Sequence, residues 1–195
     1  MRNFSRLFLI GLVACTLSGV AVADDPGAGP LSLAQSAADS LRETTAADIA
    51  FLPSAILKSG GSKDNLASVL AFPNESFSTL NLTGAQLRAA LERSVSLLPQ
   101  TSTFFLQISG AEVTYRRANG VSPRIVDVRV NKQPLDDGRT YVVAMPTSLA
   151  RGGYGYFKVW NMKTSLNRNF ESMTLEQILK EKRGTDSNPR YTAVD

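Results

Sequence analysis

Histidine is absent from all 195 residues, and cysteine occurs once, at Cys15. The first absence removes any Ser-His-Asp or Cys-His relay for nucleophilic catalysis. It also removes the imidazole ligands with which two-metal phosphoesterases hold their ions and activate water. Asp136-Asp137 is an acidic pair, but Asp137-Gly138 reads as turn chemistry, so no catalytic residue and no metal-ligand set is assigned. A single cysteine excludes a disulfide within the chain. No Gly-rich phosphate cradle stands out, because Gly60-Gly61-Ser62-Lys63 lacks the P-loop spacing. No cofactor is expected. Strong charge is lacking too: the formal net charge is +4 and the basic residues are scattered, which argues against nucleic acid as a partner.

Long apolar runs are equally scarce. Only Leu7–Val22 is extended and uncharged, and nothing beyond it approaches the roughly 18 residues of a spanning helix. Arg2 and Arg6 precede this run and Ala21-Val22-Ala23 follows it, which is the layout of a secretory signal. Residues 1–23 are therefore expected to be a signal peptide. The remainder is expected to be periplasmic or secreted, with no integral membrane segment after cleavage. Leu12-Val13-Ala14-Cys15 also fits a lipobox, which leaves open an alternative in which the protein is a lipoprotein anchored through Cys15. Residues 24–30 read as a flexible spacer, and residues 31–195 as one domain large enough to bury a core.

Within that domain the periodicity changes along the chain. Ser32 is expected to cap a helix to about Glu43, with Leu33, Ala37, Ala38 and Leu41 on one face. Asp48–Leu52 reads as a short buried strand stopped by Pro53, Asp64–Leu70 as a short helix and Phe77–Leu82 as a strand. Thr83-Gly84-Ala85-Gln86 has the capping-box pattern, followed by a helical stripe of Leu87, Ala90, Leu91, Val95 and Leu98 before Pro99. The period then becomes two: Phe104–Ser109, Glu112–Arg117, Arg124–Val130 and Tyr141–Met145 read as strands, with Asn119-Gly120 and Asp137-Gly138 as turns. A last helix is expected over Thr174–Lys182, capped by Thr174 and ended by Gly184. Helices early and strands late predict an α+β fold: a single domain with a mixed or antiparallel sheet and packed helices.

Several segments, in order, resemble the C-terminal, substrate-binding domain of the 5'-nucleotidase and UDP-sugar hydrolase family. These are Ala47-Asp48-Ile49-Ala50, Leu70–Asn74, Leu82–Leu91, Val130–Leu135, Arg139-Thr140-Tyr141 and Gly152-Gly153-Tyr154-Gly155-Tyr156. The resemblance runs from about Leu31 to Trp160. It implies the fold of that domain without the metallophosphoesterase half, and a nucleotide or nucleoside-like ligand whose base lies between two aromatic rings. On this basis the ligand-binding candidates are Phe72 as the first ring, Asn74 beside it, Lys58, Gly152, Gly153 and Tyr154. The chain departs from the family pattern at several of these places. Pro53-Ser54-Ala55-Ile56-Leu57-Lys58 replaces Asn-Gly-Gly-Gly-Ile-Arg, so Lys58 keeps a charge but not a planar fork. The second ring falls at Ser148, which cannot stack. Tyr154 replaces an Asp, and Gln35 stands where some members carry Arg or Asn.

The resemblance implies a nucleotide-binding module linked to nucleotide catabolism and without hydrolytic activity of its own. One alternative is a recognition subunit that acts with a separate metallophosphoesterase chain. Another is an envelope interaction protein that has lost the ligand site.

Overall fold

The computed structural model describes residues 25–118, 120–185 and 190–195. The expected signal segment, Cys15 and Asn119 lie outside them. Five helices, α1 (Ser32–Thr45), α2 (Gly84–Val95), α3 (Thr147–Ala150), α4 (Met162–Ser165) and α5 (Leu175–Leu179), accompany nine strands. The strands are β1 (Ile49–Pro53), β2 (Ser76–Thr83), β3 (Leu106–Ser109), β4 (Ala111–Arg116), β5 (Ile125–Val130), β6 (Gln133–Pro134), β7 (Thr140–Pro146), β8 (Leu166–Thr174) and β9 (Tyr191–Val194). They form a five-stranded sheet, β3-β1-β7-β2-β8, and a four-stranded sheet, β6-β5-β4-β9. Both are mixed: β1 pairs parallel with β7 and β4 parallel with β9, while the other pairs are antiparallel.

The larger sheet is covered on both faces, which is why its central strands read as continuous apolar runs. Successive side chains of a strand point to opposite faces. Ile49 and Phe51 of β1, with Val143 and Met145 of β7, enter one core together with Leu87, Ala90 and Leu91 of α2 and Val113 and Val128 of the second sheet. Ala50, Leu52 and Ala144 enter the other, with Ala37, Ala38 and Leu41 of α1 and Leu175 and Leu179 of α5.

Local chemistry sets the helix starts. Thr83 and Gln86 form the expected capping box on α2. The next free donors of that first turn go to a neighbouring loop: Gly84 N–H to Arg139 O at 2.9 Å and Ala85 N–H to Asp137 O at 3.1 Å. A Cβ on Gly84 would lie 2.1 Å from Asp136 O, so glycine lets this loop close over the helix end. Thr174 and Gln177 form a second capping box on α5.

At α1 the sequence expectation fails. Leu31, not Ser32, is the cap residue, and it offers no side-chain bond. Its N–H instead donates to Gln107 Oε1 at 3.0 Å. Gln107 is fully buried on β3, and its Nε2 donates to Pro26 O and Gly29 O at 2.9 and 2.8 Å. One amide thus holds the segment read as a spacer, helped by Ser102 N–H donating to Gly27 O at 3.1 Å.

Other elements also depart from expectation. Asp64–Leu70 is a 3-10 turn over Leu66–Val69, begun by Asn65 accepting from Ala67 N–H. The last helix stops at Leu179. Strands β8 and β9 were not foreseen. Strand β8 is a sheet edge with two register shifts and few buried side chains, so it carries little alternation to read.

Gln107→Ala strands the Leu31 N–H and two carbonyls, and should lower unfolding free energy in urea by about 2–3 kcal/mol; unchanged stability would show that the Pro26–Leu31 segment is not part of the cooperative fold. Tyr156 and Tyr191 are both buried, and burial is the main cause holding each phenol well above its ordinary range. Their contribution is complete below the unfolded-state value of about 10 and is lost as pH rises past it, by about 1.4 kcal/mol per pH unit for each phenol. Tyr156→Phe and Tyr191→Phe should each flatten the fall of stability above pH about 10 by one proton's slope, read by urea unfolding at a series of alkaline pH values.

Candidate functional site

The parallel pair β1–β7, flanked by antiparallel β3 and β2, fixes which loops meet. The chain leaves β1 and β7 at the same edge of the sheet where it begins β2 and β3. Three segments named from sequence converge there: Pro53–Lys58 after β1, Ala71–Glu75 before β2, and Thr147–Tyr156 after β7.

The Ala71–Glu75 loop is pinned from several sides. Ala71 N–H donates to Ile56 O at 2.8 Å, while Pro73 O and Glu75 O accept from Glu176 and Leu175 N–H at the start of α5, at 3.1 and 2.8 Å. Glu75 then reaches across: its Oε1 accepts from Ser148 N–H at 2.8 Å. Ser76 Oγ bonds Thr147 Oγ1 at 3.0 Å. Ser148 Oγ lies 3.4 Å from Tyr154 Oη. Glu75 therefore couples the loop bearing Phe72 and Asn74 to Ser148 and, through it, to Tyr154. Phe72 stands out from this frame with 57% of its surface exposed, and Asn74 is exposed beside it. Phe72 is not a core aromatic.

The Gly152–Tyr156 turn has an unusual backbone. Gly152, Tyr154 and Gly155 all have left-handed φ, at 86°, 56° and 81°. Tyrosine has no intrinsic preference for this region, where an L side chain costs about 1–2 kcal/mol. Tyr154 is held there by Arg93, whose guanidinium donates to Tyr154 O at 2.6 Å and lies over Phe104 and Tyr156 at 4.3 and 5.3 Å from their centroids. A Cβ on Gly155 would sit 2.2 Å from that guanidinium. Gly152 and Gly153 have packing reasons as well: added Cβ atoms would lie 2.8 Å from the Phe157 backbone and 2.6 Å from Ser148 O.

Lys58 lies apart from this group. Its N–H donates to Val69 O at 2.9 Å, and it borders two cavities. One, of about 420 Å3, is walled by Pro30–Ala34, Leu57 and Gly60-Gly61; the other, of about 210 Å3, by Asp25–Gly27 and Thr101–Thr103. Neither wall includes Phe72, Asn74 or Tyr154. Gln35 is buried in α1.

Glu75 and Arg93 escaped the sequence reading. Each looks like an ordinary surface charge, and each acts on a residue more than sixty positions away; no local pattern marks them. Among the described residues no group of three or more His, Cys, Asp or Glu side chains could hold a metal ion. No described helix is long and apolar enough to cross a membrane.

Comparison with known proteins bears on the family and the fold. The snake venom 5'-nucleotidase of Naja atra is 34% identical over 102 residues, covering 48% of this chain and 19% of that protein. A 5'-nucleotidase-related protein of Glossina morsitans morsitans is 42% identical over 85 residues, covering 39% of this chain and 15% of that protein. The chain thus spans less than a fifth of the length of these curated relatives. The crystal structure of a 5'-nucleotidase precursor from Thermus thermophilus superposes with a TM-score of 0.69 at 23% identity, over 85% of this chain and 36% of that one; at this identity it speaks to the fold alone. Residues 17–161 match the family described as 5'-nucleotidase, C-terminal domain, and the chain belongs to that family.

Proposed function

We propose that this chain is a nucleotide- or nucleoside-binding module of nucleotide catabolism, working outside the cytoplasm, with no hydrolytic chemistry from its own residues. The observation that carries the reading is the exposed Phe72 ring on a loop pinned at Ala71, Pro73 and Glu75. A solvent-facing aromatic on a held loop suits base stacking, because the main chain loses little freedom when a base covers the ring. Asn74 supplies a polar group next to it. Tyr154, coupled to the same loop through Ser148 and Glu75, brings a second half-buried ring to the region left without one by Ser148. Lys58 is the weaker candidate, since it opens onto the neighbouring cavities. Export rests on the Arg2, Arg6, Leu7–Val22 and Ala21-Val22-Ala23 pattern.

A second reading, in which the module supplies substrate recognition to a metallophosphoesterase carried on another chain, is favoured by one fact: the sequence has no histidine with which to hold a catalytic metal pair. Under both readings the purified chain with added divalent metals releases no phosphate from nucleotides; robust metal-dependent release would overturn both.

Isothermal titration with AMP, UMP, adenosine and UDP-glucose tests binding directly. At least one should give saturable heat, and Phe72→Ala should weaken it by about 1–3 kcal/mol, the usual contribution of a base–aromatic stack. Because Phe72 is exposed, the same substitution should change unfolding free energy by no more than about 0.5 kcal/mol. A folded sample that gives no heat at high micromolar ligand would instead favour an interaction protein that has lost the site.

A further inference from the structure

Beyond the nucleotide reading, we infer that a cavity on a different flank of the Gly152–Tyr156 turn is a binding site for a small organic anion with a planar apolar body. The cavity has a volume of about 550 Å3, within the roughly 300–1,000 Å3 of small-molecule sites. Its apolar walls are Phe157, Trp160, Met162 and Leu166, and its polar lining includes Arg151 and Lys163. None of Phe72, Asn74, Glu75, Ser148 or Tyr154 takes part.

Three observations point to this ligand chemistry. First, Phe157 and Leu166 are 66% and 44% exposed, so two large apolar side chains face solvent at one concave place instead of joining a core. Isolated exposed apolar residues are ordinary, but a concave cluster of them marks a binding surface. Second, the floor is rigid. Trp160 is buried, donates its indole N–H to Leu149 O at 3.2 Å, and stacks on Tyr156 with centroids 4.9 Å apart. Phe157 is seated by its N–H bond to Gly152 O at 3.0 Å, so the ring is presented with little backbone freedom. Third, the charge is of one sign. Arg151 and Lys163 line the cavity without any carboxylate, and Lys158 Nζ stands 6.0 Å from the Phe157 ring centroid. An apolar floor with a cationic rim complements a flat apolar anion and disfavours cations and neutral sugars.

The surroundings set this cavity apart from the family's shared features. The family match ends at residue 161, so Met162, Lys163 and Leu166 come from the segment that follows it. The cavity is built at the junction of the two.

Trp160 is the sole tryptophan of the chain, which makes occupancy directly readable in the intact protein. Anilinonaphthalene sulfonate is a suitable probe, because it is an anion with a flat naphthalene body that accepts excitation energy from tryptophan. Titration should give saturable transfer from Trp160. Phe157→Ala, and separately the double substitution Arg151→Ala with Lys163→Ala, should each weaken binding about tenfold, equivalent to about 1.4 kcal/mol. Phenylnaphthylamine, the uncharged counterpart, should bind more weakly than the anion, and added salt should reduce only the anion's affinity. Phe72→Ala should leave probe binding unchanged, which separates this site from the nucleotide reading. All the substituted side chains are solvent-accessible, so the variants should fold, and their circular dichroism checks this. Absence of saturable transfer, or transfer unaffected by both variants, would overturn the site; equal binding of the uncharged probe would overturn the anion assignment.

Discussion

The parallel pairing of β1 with β7 is the constraint on which the rest of this structure depends. Among the described residues it is the only parallel pair in the five-stranded sheet, and it lies between antiparallel partners on both sides. The register is locked at its start by Asp48, whose main chain and side chain both engage Val142: Asp48 N–H donates to Val142 O, and Asp48 Oδ2 accepts from Val142 N–H. Since the two strands run the same way, the chain leaves both at one edge, and the beginnings of β2 and β3 are brought to that same edge. Every candidate ligand residue lies on a segment that leaves or enters one of these strand ends. The site is thus a consequence of topology before it is a matter of any particular side chain.

This explains what could and could not be read from the sequence. Central strands and the long helices were legible because burial on a face imposes a period: Leu87, Ala90, Leu91 and Val95 on α2, and the apolar run of β1. Capping boxes were legible because both partners lie within four residues. Glu75, Arg93 and Gln107 were not, since what each holds is brought near only by the finished fold. Strand β8 was not legible either. An edge strand with little burial on either face has no reason to alternate, and its bulges break what alternation remains. The start of α1 failed for a related reason: a serine in the right place suggests a cap, but the cap position falls one residue earlier, at Leu31, whose N–H is held by a distant buried amide.

The same distinction bears on the spatial relation of the candidates. Phe72, Asn74 and Tyr154 belong to loops tied together by Glu75 and Ser148, whereas Lys58 opens onto cavities walled by the N-terminal segment. Sequence alignment to a family pattern treats these positions as equivalent members of a site. The fold divides them, because Gln107 draws residues 26–31 against the end of β3 and so gives Lys58 a different set of neighbours.

Packing also decides what each retained motif residue says about function. Gly84 is required by the carbonyl of Asp136, Gly152 by the Phe157 backbone, Gly153 by the carbonyl of Ser148 and Gly155 by the Arg93 guanidinium. Each would be needed for the fold whether or not a ligand were ever bound, so their presence argues for the scaffold and says little about a site. Phe72 is the opposite case. It fills no core, stacks on no ring among the described residues, and exposes most of its surface on a loop whose main chain is held at three nearby positions. The ring adds nothing to the buried core, and covering it would remove apolar surface from water. Packing does not require an aromatic at this position, and for that reason Phe72, more than the glycine-rich turn, bears the weight of the nucleotide reading.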